Sequence, residues 1–312
     1  MGDRTDKTPG APGPADKIGL PTKITINSLR ARKREGRKFS MLTCYDYSTA
    51  RLMEQAGIDS LLVGDTYAEV CLGHPTTLPV TVDHMVTITA AVRRGAPSVY
   101  LVGDMPYLSY QVCPEEAIRN AGRFMAEAGC DCVKVEVDRR LVKTVEAMCA
   151  ATIPVMAHLG LRPQSIQSIG GYRVQGKHAA DAMRLIEDAK MMEEAGAVAL
   201  LLEAVPLEVA RRITESTTLP VTGIVSGPDC DGQVLVFHDM IGYGGGHPPR
   251  SVKPYAQLHE LLVKAFGAYA KDVSEGNFPT KEQSVAMDPK ELEKLLQAFG
   301  HSEVKRREIK ES

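Results

Sequence analysis

The chain has 312 residues, 44% apolar and 24% charged, which fits one large globular α/β domain or two smaller ones. A net charge of −2 with interspersed signs gives no electrostatic case for nucleic acid or a membrane surface as partner. No apolar run nears the roughly 20 residues of a membrane span, the N-terminus lacks a signal-peptide pattern, and the seven scattered cysteines form no CxxC pair, so free thiols in a reducing cytoplasm are expected.

Residues 1–22 are rich in Gly, Pro, Asp and Lys without apolar periodicity and are expected to be a disordered tail. A first helix is expected over residues 24–36 and a first strand over 39–44. Four later runs share one pattern, an apolar strand ending on an acid. They are Ser60-Leu61-Leu62-Val63-Gly64-Asp65, Val99-Tyr100-Leu101-Val102-Gly103-Asp104, Cys132-Val133-Lys134-Val135-Glu136 and Val198-Ala199-Leu200-Leu201-Leu202-Glu203. Each follows a helix-like stretch closed by glycine: Gly57, Gly95, Gly129 and Gly196. Residues 153–158, ending at His158, read as a fifth strand, and 219–224 as a seventh. Residues 235–239 read as an eighth strand or as a helix leading into it. About eight βα units favour a closed parallel (β/α)8 TIM-type barrel, here placed over residues 23–280. An open doubly wound sheet is the alternative, weakened because no GxGxxG follows the first strand. Beyond residue 254 the chain turns helical, with Asp288-Pro289 as an N-cap pair, so residues 281–312 are expected to be a helical, charged extension with frayed residues 304–312.

In a parallel barrel the strand tips converge on the face where such enzymes do chemistry. Acids gathered there repel one another unless a positive group sits among them. Asp65, Asp104 and Glu136 end consecutive acid-tipped strands, so oxygen ligation of magnesium or manganese is expected; helix capping is the alternative for any one of them. Lys134 stands two residues before Glu136 on the same strand face, placed for an anionic substrate or a developing oxyanion, or for a buried structural ion pair. His158 is a candidate donor to a substrate oxygen, with His74, His238 and His247 as lesser candidates in loops. Glu203 follows a wholly apolar approach, which favours a raised pKa and a general-base role over a structural one. Together these residues suit a metal-bound 2-oxo acid or similar enolisable anion.

The chain resembles the ketopantoate hydroxymethyltransferase family over about residues 24–279. The segments that carry the resemblance include Thr43-Cys44-Tyr45-Asp46-Tyr47-Ser48, Gly73-His74 with Thr77-Leu78-Pro79-Val80-Thr81, and Ala90-Ala91-Val92-Arg93-Arg94-Gly95-Ala96-Pro97. Others are His158-Leu159-Gly160-Leu161 with Pro163-Gln164-Ser165, Gly170-Gly171-Tyr172 with Val174-Gln175-Gly176, and Asp231-Gly232-Gln233-Val234-Leu235-Val236. The resemblance implies a barrel of the phosphoenolpyruvate mutase/isocitrate lyase type. It implies a metal, usually Mg2+, on Asp65, Asp104 and Glu136, and substrate contacts from Asp65, Thr66, Asp104, Lys134 and His158. It makes Glu203 the acceptor of the C3 proton of 3-methyl-2-oxobutanoate. The resulting metal-held enolate would attack the one-carbon unit of 5,10-methylenetetrahydrofolate and give 2-dehydropantoate, a step of pantothenate biosynthesis. The family is commonly a cytoplasmic homodecamer, so small-molecule partners and self-association are implied.

Some residues depart from the family pattern. Thr66-Tyr67 replaces a serine followed by a small or flexible segment, and Val137 replaces a glycine commonly found after Glu136. Gly223-Ile224-Val225-Ser226-Gly227 stands where the family has Gly-Ile-Gly-Ala-Gly. If these rim residues narrow the pocket, either the substrate is expected to be another 2-oxo acid or turnover of the branched family substrate is expected to be poor. Two alternatives stay open: a related metal-dependent carbon–carbon lyase or aldolase, and a catalytically degenerate paralogue acting as a binding subunit.

Overall fold

The computed structural model describes residues 22–171, 173–245 and 251–298. The expected N-terminal tail, Tyr172, His247 and the last charged residues lie outside these, apart from Thr22 at the tail's end. The chain divides into two compact units, residues 1–256 and 257–312.

The first unit is a closed barrel of eight parallel strands in sequence order. The strands are β1 (Phe39–Thr43), β2 (Ser60–Val63), β3 (Tyr100–Asp104), β4 (Cys132–Glu136), β5 (Val155–Gly160), β6 (Ala199–Glu203), β7 (Val221–Ile224) and β8 (Gly232–Leu235). Helix α1 (Ile26–Arg34) precedes β1, and α2 (Tyr47–Gln55) joins β1 to β2. A short α3 (Tyr67–Val70) and α4 (Val82–Gly95) lead to β3, α5 (Pro114–Ala126) to β4 and α6 (Val142–Ala150) to β5. A short α7 (Ile166–Ile169) and α8 (Ala179–Glu194) lead to β6, and α9 (Leu207–Ser216) to β7. Two details differ from the sequence reading. The eighth strand lies earlier, at Gly232–Leu235, and the apolar run after it folds as a single helical turn, α10 (Phe237–Met240). Among the described residues no helix joins β7 to β8, so seven residues, 225–231, replace it.

Strand alternation separates two hydrophobic layers. Inward residues such as Met41, Leu62, Val102, Cys132, Met156 and Leu201 fill the barrel, and Leu29 of α1 joins them from below. Outward residues such as Leu61, Leu101, Val133, Val135 and Leu200 pack against the helices. Three of the four expected glycines, Gly57, Gly129 and Gly196, close helices with left-handed backbone, which glycine adopts without penalty. The fourth, Gly95, ends α4 for a different reason: a Cβ there would lie 2.4 Å from the Tyr47 carbonyl oxygen.

A three-fold repeated device locks the lower rim. Asp59, Asp131 and Asp231 each stand just before a strand, and each accepts the amide of a residue in the neighbouring strand, from Ser40 (2.9 Å), Leu101 (2.8 Å) and Val221 (2.9 Å). Each also meets a cation from α1 or its approach: Arg32 at 2.7 Å, Lys23 at 2.6 Å and Lys33 at 2.9 Å. The N-terminal helix is thereby clamped under the barrel, leaving the upper face to the acid-tipped strands.

The second unit holds α11 (Leu258–Ser274) and α12 (Pro289–Ala298). Asp288 caps α12 through the Lys290 amide at 2.9 Å, as its sequence suggested. None of the residues of either helix is buried. Among the described residues no helix is long and apolar enough to cross a membrane.

Candidate active site

At the upper face the strand ends bring the expected acids together. Asp104 is the last residue of β3, and Asp65 lies two residues beyond β2; both are buried. The Asp65 amide donates to Asp104 Oδ2 at 3.0 Å. Lys134 and Glu136 point inward from β4, because residues two apart share a strand face. The Lys134 ammonium donates to both Asp104 oxygens at 2.7 Å, so the buried ion pair is present.

Gln164 and Tyr110, which sequence reasoning did not assign to the site, hold this group in place. Gln164 donates from Nε2 to Asp65 Oδ2 and to the Met105 carbonyl, both at 2.9 Å. Its own amide donates to Glu136 Oε2 at 3.0 Å. The Tyr110 hydroxyl donates to Gln164 Oε1 at 2.8 Å and accepts from the Glu136 amide at 2.9 Å. The available signal was the Pro163-Gln164-Ser165 segment, placed just past β5 at the catalytic end of the barrel.

His158 on β5 is buried between two acids. Its Nδ1 lies 3.8 Å from Glu136 Oε1 and its Nε2 3.4 Å from Glu203 Oε2. Among the described residues neither ring nitrogen has a hydrogen-bond partner, nor does Glu136 Oε1. Burial, then the Lys134 charge, holds the imidazole pKa well below its usual value, so the ring is neutral. Glu203 ends β6, with its side chain one-fifth exposed. Burial pushes its carboxyl up to about 7, as its apolar approach implied. Gly160 makes room for this strand end, since a Cβ there would lie 2.3 Å from the Glu203 carbonyl oxygen. Thr66 Oγ1 is 2.6 Å from the Tyr45 hydroxyl at the opposite rim.

Asp65, Thr66, Asp104, Lys134, His158 and Glu203 line one cavity of about 50 Å3, walled by Leu201, Ile224 and Val234. Glu136 does not line it; its carboxylate is turned toward the Gln164 amide and His158. The rim substitutions expected to narrow the cavity do not line it either. Tyr67 packs on Tyr45, with ring centroids 5.8 Å apart. Val137 points outward, the opposite way from Glu136, into a separate cavity of about 370 Å3. Val225 is half-exposed and Ser226 is buried in backbone contacts. Strand parity carries Val137 away from the centre, the turn at the β7 tip does so for Val225, and Tyr67 opens the short helix α3. His74 and His238 also lie outside the cavity lining.

Electrostatically the cluster is short of positive charge. Four carboxylates share one ammonium beside a neutral imidazole. Burial opposes the Lys134 charge, but Asp104, Asp65 and Glu136 together hold its pKa above the usual value. Burial raises Asp104 to about 7 against the pull of Lys134, and drives Glu136 well above the ordinary carboxylate range. Among the described residues no three acid, imidazole or thiol groups already converge as a cage. The donor chemistry still fits a hard divalent cation. It offers three carboxylates from neighbouring strands, a surplus of negative charge, and a buried Glu136 oxygen with no partner.

The family model described as "Ketopantoate hydroxymethyltransferase" matches residues 23–281. A relative from Clostridium novyi (strain NT), named 3-methyl-2-oxobutanoate hydroxymethyltransferase, is 46% identical over 273 residues, covering 88% of this chain and 99% of its own. A relative of the same name from Geobacillus sp. (strain WCH70) is 49% identical over 259 residues, covering 83% and 93%. Among solved structures, phosphonopyruvate hydrolase superposes with a TM-score of 0.57 at 14% identity, covering 89% of this chain and 96% of that one. The 2,3-dimethylmalate lyase, a PEP mutase/isocitrate lyase superfamily member, gives 0.54 at 18% identity, covering 89% and 96%. These structural likenesses agree with the closed parallel barrel.

Proposed function

The chain belongs to the ketopantoate hydroxymethyltransferase family, and from that premise we propose that it transfers a hydroxymethyl group from 5,10-methylenetetrahydrofolate to 3-methyl-2-oxobutanoate. The observation that carries this reading is the position of Glu203. It is a carboxylate raised to about 7 at the edge of a small cavity, facing the Asp104–Lys134 pair. A base near neutrality beside a fixed cation suits removal of a proton next to a carbonyl.

In this reading Glu203 takes the C3 proton of the oxo acid. Lys134 offsets the negative charge that develops on the enolate oxygen, and Asp65, Thr66, Asp104 and the neutral His158 orient the substrate. Asp65, Asp104 and Glu136 would hold a divalent cation, Mg2+ by the family pattern, which when bound polarises the 2-oxo carbonyl. The enolate carbon then attacks the one-carbon unit of the folate. For this, water first opens the folate methylene, so that both C–N bonds break and tetrahydrofolate leaves with its two nitrogens protonated; the carbon that the enolate meets is at the oxidation level of formaldehyde, and the product is 2-dehydropantoate. A cavity of about 50 Å3 suits a small oxo acid. The folate therefore approaches from the open side of the mouth. We read the protein as a cytoplasmic homo-oligomer, a decamer by the family pattern; its seven free cysteines agree with a reducing compartment.

The test is product formation from 3-methyl-2-oxobutanoate with 5,10-methylenetetrahydrofolate and magnesium, followed by mass spectrometry. A gain of one hydroxymethyl group that needs both supports the reading. Turnover of other 2-oxo acids without folate would replace it with a lyase or aldolase.

A further inference from the structure

The strand ends beside Glu203 carry an unusual backbone. Glu203 pairs in register with Ile224 of β7. The residue after each, Ala204 and Val225, has left-handed φ, +48° and +52°. For a β-branched residue this is a true outlier, and it persists only where the surroundings over-determine it. The turn is needed because residues 225–231 return the chain to β8 without a helix.

Ser226 stands at the centre of this turn, 1% exposed. Its hydroxyl reaches the Leu202 carbonyl at 2.9 Å and the Ile224 carbonyl at 3.0 Å, and accepts the Val205 amide at 3.3 Å. Leu202 and Val205 bracket Glu203-Ala204. The Ala204 amide donates to the Ile224 carbonyl at 3.0 Å, closing the same ring of contacts. One buried side chain therefore ties the backbone before the base, the backbone after it and the exit of β7.

Glycine takes left-handed φ without penalty, so a glycine at position 225 would need no brace. We propose that Val225 and Ser226 act as a coupled pair. The Ser226 hydroxyl holds the backbone that Val225 would otherwise release, and in doing so fixes the direction of Glu203. Ser226 is thus a positioning residue, acting through Glu203. The inference rests on Glu203 being the base of the proposed reaction.

The test compares the unmodified protein with Ser226→Ala, Val225→Gly and the double variant. The first readout, amide hydrogen exchange at Val205, needs no substrate. The second is kcat and KM for solvent exchange of the C3 hydrogen of 3-methyl-2-oxobutanoate. Ser226→Ala is expected to speed Val205 amide exchange by about tenfold or more as the strand end loosens. It is expected to lower kcat by about tenfold to a hundredfold, the scale of a misplaced reacting group, and to leave KM within about twofold. Val225→Gly alone changes little, and in the double variant it restores most of the lost kcat. If Ser226→Ala fails to fold while the double variant folds, that too shows the coupling. Additive effects, or an unchanged kcat with a raised KM in Ser226→Ala, would overturn the proposal. If the unmodified protein exchanges no C3 hydrogen, the assignment of Glu203 fails instead, and Val205 protection alone decides whether the brace exists.

Discussion

At the scale of single residues, the site turns on how few positive charges serve four carboxylates. Glu203 is raised by burial, so it acts as a base only above its pKa. The kcat/KM for C3 hydrogen exchange is therefore expected to climb with pH and level off above about 7. Glu203→Gln should lose on the order of 100-fold in that exchange, keep substrate binding and show no such climb. Stability carries the same signature. A carboxyl raised from 4.5 to about 7 keeps its proton in the fold after the unfolded chain has released it. Its ionisation therefore works against the fold as pH rises through that window. Calorimetry on the metal-free protein should find that the unmodified chain loses stability relative to Glu203→Gln between those limits, with no further relative loss above them. Gln164 is the second sensitive point, because Asp65, the Met105 carbonyl and Tyr110 all lean on its side chain. Gln164→Leu leaves buried acceptors unpaired and should cost about 1–3 kcal/mol in denaturant unfolding; an unchanged midpoint would show that these contacts do not matter. The acids, Lys134 and Glu203 were legible in the sequence because each sits at a fixed offset from an apolar run. Gln164 was not, because its partners Asp65, Met105 and Tyr110 lie 99, 59 and 54 residues away in the chain. No local pattern records such contacts.

At the scale of elements, short continuous apolar runs and helix-closing glycines placed most strands within a few residues. The eighth was misplaced because Leu235-Val236-Phe237 is apolar enough for either element. Its true start at Gly232 is set by pairing with Phe39 and Thr222, which only the closed barrel brings near. The same limit explains the rim. Tyr67, Val137 and Val225 are adjacent to residues of the cavity wall in sequence, but packing on Tyr45 at the start of α3, strand parity and a left-handed turn, respectively, direct them elsewhere. The aspartate clamps under the barrel were also hidden, since each joins a strand end to a distant cation. Asp131 illustrates their weight: it accepts from Lys23, Arg93 and the Leu101 amide at once. Asp131→Ala should cost about 1–3 kcal/mol of stability, leaving a strand amide without its acceptor and two partly buried cations without their counter-charge. The same change should leave the pH dependence of C3 exchange unaltered, because the clamp lies at the opposite end of the barrel from Glu203.

At the scale of the whole molecule, the barrel gathers chemistry from β2, β3, β4, β5 and β6 onto one face, while the second unit contributes helices with no buried residue. Leu261, Val263, Phe266 and Tyr269 of α11 are all exposed. The proposed homo-oligomer predicts a solution mass by light scattering that is a multiple of the chain mass, about ten-fold by the family pattern; a monomer at all concentrations would remove that part of the reading. The most direct test of the central claim, that this barrel mouth enolises a branched 2-oxo acid, is proton NMR of 3-methyl-2-oxobutanoate in heavy water. Spectra would be taken with enzyme and magnesium, with and without folate. The account predicts that the C3 proton signal decays without folate, that decay requires the divalent ion, and that Glu203→Gln slows it by on the order of 100-fold. A C3 signal that persists in the presence of enzyme and magnesium, or one that decays equally fast with Glu203→Gln, would contradict it.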